Sequence, residues 1–227
     1  PPLRERNVRL PRAGHRAGRP VFGDDEHTVE LAVIELLTGL GRTALHAEGG
    51  LWRHLYGLLL GDALFAPVGQ LPAPFLAGPL DLGTSGFAER RPLEVERALR
   101  AVAEGRAPDL VRRTWEAWEG CQIAGVRWES VDRDVAIVEG LGPGLLNAVL
   151  SVLLERGWKA ARGLPDLAVL PGPSTRIPGA LPSRLTPDVL LVEVKTANDT
   201  LSDAQRWWLA HLEPFVTAEV WRVTADP

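Results

Sequence analysis

Apolar residues recur at helical spacing through "TVELAVIELLTGL" (28–40) and stop at Gly39 and Gly41, the pattern of a buried helix. "EGGLWRHLYGLLLGDALF" (48–65) predicts a second helix in spite of its glycines. "PLEVERALRAVAEG" (92–105) and "APDLVRRTWEAWEG" (107–120) predict amphipathic helices with glycine stops, and "PGLLNAVLSVLLERG" (143–157) one that runs from Pro143 to Gly157. Residues 66–92, rich in Pro and Gly, predict a long loop, and "GVRWES" (125–130) alternates like a strand. Beyond that the period changes. "DLAVL" (166–170) and "DVLLVEVK" (188–195) are continuous Val- and Leu-rich runs of strand length, which suit central strands. Five prolines between them, in "PGPSTRIPGALPSRLTP", exclude regular structure. "LSDAQRWWLAHL" (201–212) is helical, with Ser202 and Gln205 spaced as a capping box, and "AEVWRVT" (218–224) closes as a strand. Helices first, then β–β–α–β, predict an α/β layer with a helical preface.

Composition narrows the class. With 45% hydrophobic and 24% charged residues among 227, the chain has the make-up of a soluble globular protein of one large or two small domains. No unbroken apolar run reaches the roughly 18 residues that span a bilayer, and the basic, polar start is not a signal peptide. One cysteine, Cys121, allows neither an internal disulfide nor a Cys-based zinc site, so a reducing interior is expected by default. The absence of Met is read as a fragment or a processed chain. Net charge is −4, but residues 1–20 hold six Arg and one acid. A basic arm ahead of an acidic body suits a DNA enzyme with a carboxylate site; a solvated tail fits the same charges. The five histidines lack H-E-x-x-H spacing, and "GLGPG" (140–144) lacks the Lys-Ser/Thr of a phosphate loop.

The candidate chemistry lies in "PDVLLVEVK" (187–195). Alternate strand residues leave opposite faces, so Glu193 and Lys195 share one and Asp188 takes the other, roughly 16 Å away along the strand. One cation cannot reach both acids. The other Pro-Asp, at Asp166, falls opposite or diagonal to Glu193 if the two strands form an antiparallel hairpin, within about 4.5–8 Å at Cβ. Glu48 shares a helical stripe with Leu51, Trp52, Leu55 and Leu59, which puts it on a buried side; Asp62, about 21 Å further along that helix, cannot join it. Three carboxylates in one cleft need cations. A divalent metal held by Glu48, Asp166, Glu193 and the Val194 carbonyl, with Lys195 beside it, supplies them. Each signal also has an ordinary explanation: a solvated strand edge for Glu-X-Lys, a helix-terminal acid for Glu48, and the capping box alone for Gln205.

The run "GLPDLAVL…LLVEVKTANDTLSDAQRWWLAHL…AEVWRV" resembles the VRR-NUC domain, a branch of the PD-(D/E)XK nuclease superfamily. "HAEGGLWRHLYGLLLGDALF" and "PLDLGTSGFAERR" resemble its Fanconi-associated nuclease subgroup, bacterial members included; together the similarity covers about residues 27–224. The resemblance implies an α/β, restriction-endonuclease-like core: a central mixed sheet with an antiparallel catalytic hairpin, flanked by helices. The expected organisation is a basic arm or linker over 1–25 and one nuclease domain over 26–227, its helical preface to about 120 and its core over about 121–226. The implied activity is Mg²⁺- or Mn²⁺-dependent, structure-selective hydrolysis of branched DNA such as 5′ flaps, in DNA repair. The location implied is cytoplasmic at the nucleoid, or nuclear in a eukaryote. The family motifs fall on Glu48, Asp166, Glu193 and Lys195, and give Gln205 a supporting role. Where relatives carry basic residues after the Glu-X-Lys, this chain has Thr200, Asp203 and Ala204; Lys159, Arg162 and Arg206 remain as candidates for phosphate contact. A monomer without membrane contact is expected, aided by upstream domains. The rival readings are a junction resolvase or simple exonuclease, the activities expected of stand-alone domains of this type, and a non-catalytic DNA-binding module.

Overall fold

The structure, a computed structural model, describes residues 3–16, 19–22, 28–68, 77–170, 189–196 and 198–225. In chain order its elements are β1 (Arg4–Leu10), β2 (Arg12–Arg16), β3 (Arg19–Phe22), α1 (Val29–Gly39), β4 (Thr43–His46), α2 (Gly50–Leu59), α3 (Gly61–Leu64), α4 (Gly86–Arg90), α5 (Pro92–Ala103), α6 (Ala107–Trp118), α7 (Val131–Arg156), β5 (Leu167–Leu170), β6 (Leu190–Thr196), α8 (Asp203–Leu212) and β7 (Thr217–Ala225). The chain forms two compact units, residues 1–48 with 163–227, and residues 49–162.

The first unit is built on a mixed sheet ordered β1-β7-β6-β5-β4. Strands β5 and β6 are antiparallel, with Leu167 opposite Val192; β6 and β7 are parallel, with Glu193 beside Val220. The alternation of β6 sorts its side chains. Val192 and Val194 pack with Ala32, Val33 and Leu37 of α1, while Val220 packs with Leu209 of α8 on the opposite face. Glu193 and Lys195 therefore face the α8 side. Where an arm or linker was expected over 1–25, Arg4–Leu10 is an edge strand parallel to β7. Its exposed polar residues leave no apolar run in the sequence to mark it. Part of its hold comes from charge: Arg6 meets Glu219 at 3.5 Å and lies over the Trp221 ring at 5.3 Å, and Glu5 meets Arg222 at 3.5 Å. β4, which the sequence did not suggest, pairs antiparallel with β5.

The second unit is helical. α5 and α6 pack on α7, and α2 packs on α6 and α7. The predicted 48–65 helix is broken at Leu60 into α2 and α3. "GVRWES" is not a strand. Two of its polar groups find partners outside any ladder: Arg127 N–H donates to His54 Nδ1 on α2, and Trp128 Nε1 to the Cys121 carbonyl. Ser130 then caps α7, which begins twelve residues before the predicted Pro143. The "GLGPG" turn survives as a kink inside it, with Gly142 at φ 76°. α7 has the length and apolar composition of a membrane span, more than its unbroken apolar runs suggested, but most of it is buried in this unit. Asp188 and the proline-rich insert lie outside the described residues.

Candidate active site

The hairpin register brings the expected acids together. Extending the Leu167–Val192 pairing by one residue sets Asp166 opposite Glu193. Asp166 Oδ2 accepts the Val194 N–H at 2.7 Å. The N–H and C=O of one strand residue leave on the same edge, so the Val194 carbonyl is directed to the Asp166 side of β6. Glu193 is fully buried, at 0% exposure. Lys195 Nζ donates to its Oε1 at 2.6 Å, and Gln205 Nε2 donates to the same oxygen at 2.5 Å. Glu193 Oε2 is buried and has no hydrogen-bond partner.

Such an arrangement is electrostatically poor by itself. Burial, then the charge of Asp166, pushes the Glu193 carboxyl up to about 7, against the opposing pull of Lys195. Burial also raises Asp166, with the charges of Glu30 and Glu48 adding to it, against the Val194 N–H and Lys195. A buried carboxylate oxygen without a donor is costly unless a cation meets it. The orphaned Oε2, the raised pair and the Val194 carbonyl make a donor set of oxygens, which suits a hard divalent cation.

Glu48 departs from expectation. The chain is not helical until Gly50; Glu48 follows β4 and is exposed, with no apolar stripe to bury it. What places it near the site is the ladder: Ala47 N–H donates to the Asp166 carbonyl at 2.7 Å, and Glu48 is the next residue. Among the described residues no group of three or more His, Cys, Asp or Glu side chains converges on one point. Asp166 and Glu193 meet, and Glu48 stands off them. Glu30, in the first turn of α1, adds its charge to the surroundings of Asp166 and belongs to none of the sequence motifs. An acid flanked by Val29 and Leu31 at the start of an amphipathic helix was the available signal. Gln205 does both things the sequence left open: its box with Ser202 is closed, and it touches Glu193. Arg206 follows it, exposed on α8, while Lys159 and Arg162 are exposed at the Trp158–Ala161 turn that ends the helical unit.

Residues 102–225 match the VRR-NUC domain model. The chain belongs to the VRR-NUC domain family. Curated relatives extend the similarity beyond the matched span. The Fanconi-associated nuclease 1 homolog of Arabidopsis thaliana is 34% identical over 196 residues, covering 83% of this chain and 21% of the relative. That of Pseudomonas aeruginosa is 31% identical over 191 residues, covering 83% of this chain and 32% of the relative. A crystal structure of paFAN1 bound to 2-nucleotide 5′-flap DNA with a gap superposes with a TM-score of 0.79 at 28% identity, covering 100% of this chain and 38% of that one. The chain thus spans less than two fifths of the length of these relatives. The mixed sheet with its antiparallel hairpin is the α/β nuclease-type core expected of a VRR-NUC domain.

Proposed function

We propose that this VRR-NUC chain is the catalytic part of a metal-dependent, structure-selective DNA nuclease that hydrolyses phosphodiester bonds in branched DNA such as 5′ flaps, in DNA repair. The observation that carries the reading is the buried Asp166–Glu193 pair, with Lys195 on one Glu193 oxygen and nothing on the other. The likeness to a structure solved with flap DNA supports the substrate class. Asp166, Glu193 and the Val194 carbonyl would hold Mg²⁺ or Mn²⁺, with Glu48 as the neighbouring third carboxylate. The ion supplies Lewis-acid polarisation of the phosphodiester and acidifies attacking water. Lys195, anchored on Glu193, keeps an ammonium beside the reacting phosphate to orient that water and offset developing charge. The buried face around Glu193 excludes bulk solvent, which strengthens these interactions. Exposed Arg206, and Lys159 and Arg162 on the helical unit, serve as phosphate contacts. Arg4, Glu5, Arg6 and Arg9 on the edge strand β1 discourage edge-to-edge pairing, which favours a monomer. Action on chromosomal DNA places the protein at the bacterial nucleoid or in a eukaryotic nucleus.

The test is a gapped 5′-flap duplex incubated with the full-length protein in Mg²⁺ or Mn²⁺, and with chelator. Cleavage near the flap junction that chelator abolishes is the expected result. No metal-dependent cleavage would sink the enzyme reading, and equal cutting of flaps and plain duplex ends would replace it with a simple exonuclease.

A further inference from the structure

Gln205 makes three contacts with one amide and its own backbone. Its Oε1 accepts the Ser202 N–H at 2.9 Å, and its backbone N–H donates to Ser202 Oγ at 3.3 Å. This is the reciprocal box that satisfies the orphan donors at a helix start. With Oε1 committed to Ser202, the amide nitrogen is the end left to project, and it meets Glu193 Oε1. The reverse orientation would set an amide carbonyl against a carboxylate and an NH₂ against an N–H, two repulsive contacts. The helix cap therefore fixes which end of the amide faces the acid. Lys195 binds that same Glu193 oxygen. Two donors crowd onto Oε1 while Oε2, equally buried, has none.

We propose that Gln205 is a positioning residue: held by the α8 cap, it pins Oε1 of Glu193 and so reserves Oε2 as the one oxygen offered to a divalent cation. The inference rests on the cation-dependent reading of the site above. Gln205 suits the task because it is neutral. It orients the carboxylate without adding a second positive charge that would compete with the ion, as another lysine would. Its own placement is firm. Gly163, at φ +90°, seats the first turn of α8 directly: a Cβ there would lie 2.8 Å from the Ala204 carbonyl carbon and the Gln205 nitrogen.

Mn²⁺ binding to the metal-free protein, followed by titration calorimetry without DNA, tests this beside the thermal midpoint of each variant. Loss of an outer hydrogen bond to a metal ligand typically weakens binding about 10–100-fold, and Gln205→Ala and Gln205→Met should both show it, with KM for flap DNA little changed. Gln205→Met keeps the side-chain volume and carries the test if Gln205→Ala does not fold. Ser202→Ala should lower the thermal midpoint and leave Mn²⁺ affinity within about twofold, since the Ser202 N–H still orients the amide. Wild-type affinity in both Gln205 variants, with wild-type binding intact, overturns the positioning role alone. Equal weakening in Ser202→Ala reduces Gln205 to a cap and overturns it too. No Mn²⁺ binding by the wild type overturns the cation reading and this inference together.

Discussion

Asp81 in the helical unit and Glu193 in the sheet unit are both buried carboxylates, at 8% and 0% exposure, and both touch a cation. They titrate in opposite directions. Burial raises Asp81, but Arg91 at 2.8 Å and Arg90 at 3.0 Å more than reverse this and hold it below its ordinary value. Asp134, in the same unit, is similarly provided for, with His54 on one oxygen and Trp115 on the other. Glu193 faces another acid, keeps a buried oxygen without a donor, and is raised. In the helical unit the protein leaves no buried carboxylate oxygen without a partner among the described residues. In the sheet unit it leaves one, and the incompleteness marks where chemistry can enter.

The contrast breaks most sharply under substitution. Asp166→Ala or Glu193→Gln should lower flap cleavage on the order of 10³-fold or more, as removal of groups acting as a unit does. Asp188→Ala should spare it. Reversed outcomes in a gel assay would refute the strand parity. Asp81→Asn should leave cleavage chemistry in place but cost about 3–5 kcal/mol of stability, because Arg91, at 2% exposure, loses its counter-charge. Urea unfolding measures this, and a neutral result would remove Asp81 as the structural counterpart. Glu193→Gln should be neutral or stabilising in the same assay without metal.

The pH dependence follows from the signs. Glu193 is raised from 4.5 to about 7, so its contribution to stability is full below 4.5 and lost as pH rises through about 7. Asp166 acts in the same direction. Asp81 is lowered, so its contribution is present above 3.8 and lost as pH falls through its depressed value. In chelator the thermal midpoint should therefore fall between pH 5 and pH 8, and Glu193→Gln should shrink that fall. Equal slopes in the two proteins would assign it elsewhere. The smallest effect belongs to a surface pair. Arg100 and Glu96 on α5 are both 63% exposed, and Arg100→Ala should cost only about 0.3–0.5 kcal/mol.

The β5–β6 hairpin was legible because it depends on parity. The two-residue spacing of Glu193 and Lys195 sets a shared face whatever surrounds it, and the apolar runs of β5 and β6 are long enough to declare themselves. β4 has four residues, "TALH", and is a strand only because β5 lies beside it. β1 is polar on most positions and is held by partners more than 200 residues away. Glu48 was attached to the right neighbourhood for the wrong reason: a ladder bond at Ala47 puts it there, and no helical stripe buries it. "GVRWES" had the period of a strand, but nothing within the helical unit offered it a ladder.

The pairing of β1 with β7 also has a temporal side. Arg4 lies beside Glu219, so the sheet joins residues more than 200 positions apart in sequence. The helical unit is one uninterrupted stretch, 49–162, and has all its partners as soon as it leaves the ribosome. The sheet does not: β1 and β4 are made first and must wait, unpaired, while more than a hundred residues are added at roughly 5–20 per second. Contacts of such long sequence separation form slowly. During synthesis the candidate site thus forms only after the helical unit, and the early strands, β1 guarded by its charges, are what the nascent chain must keep from other partners.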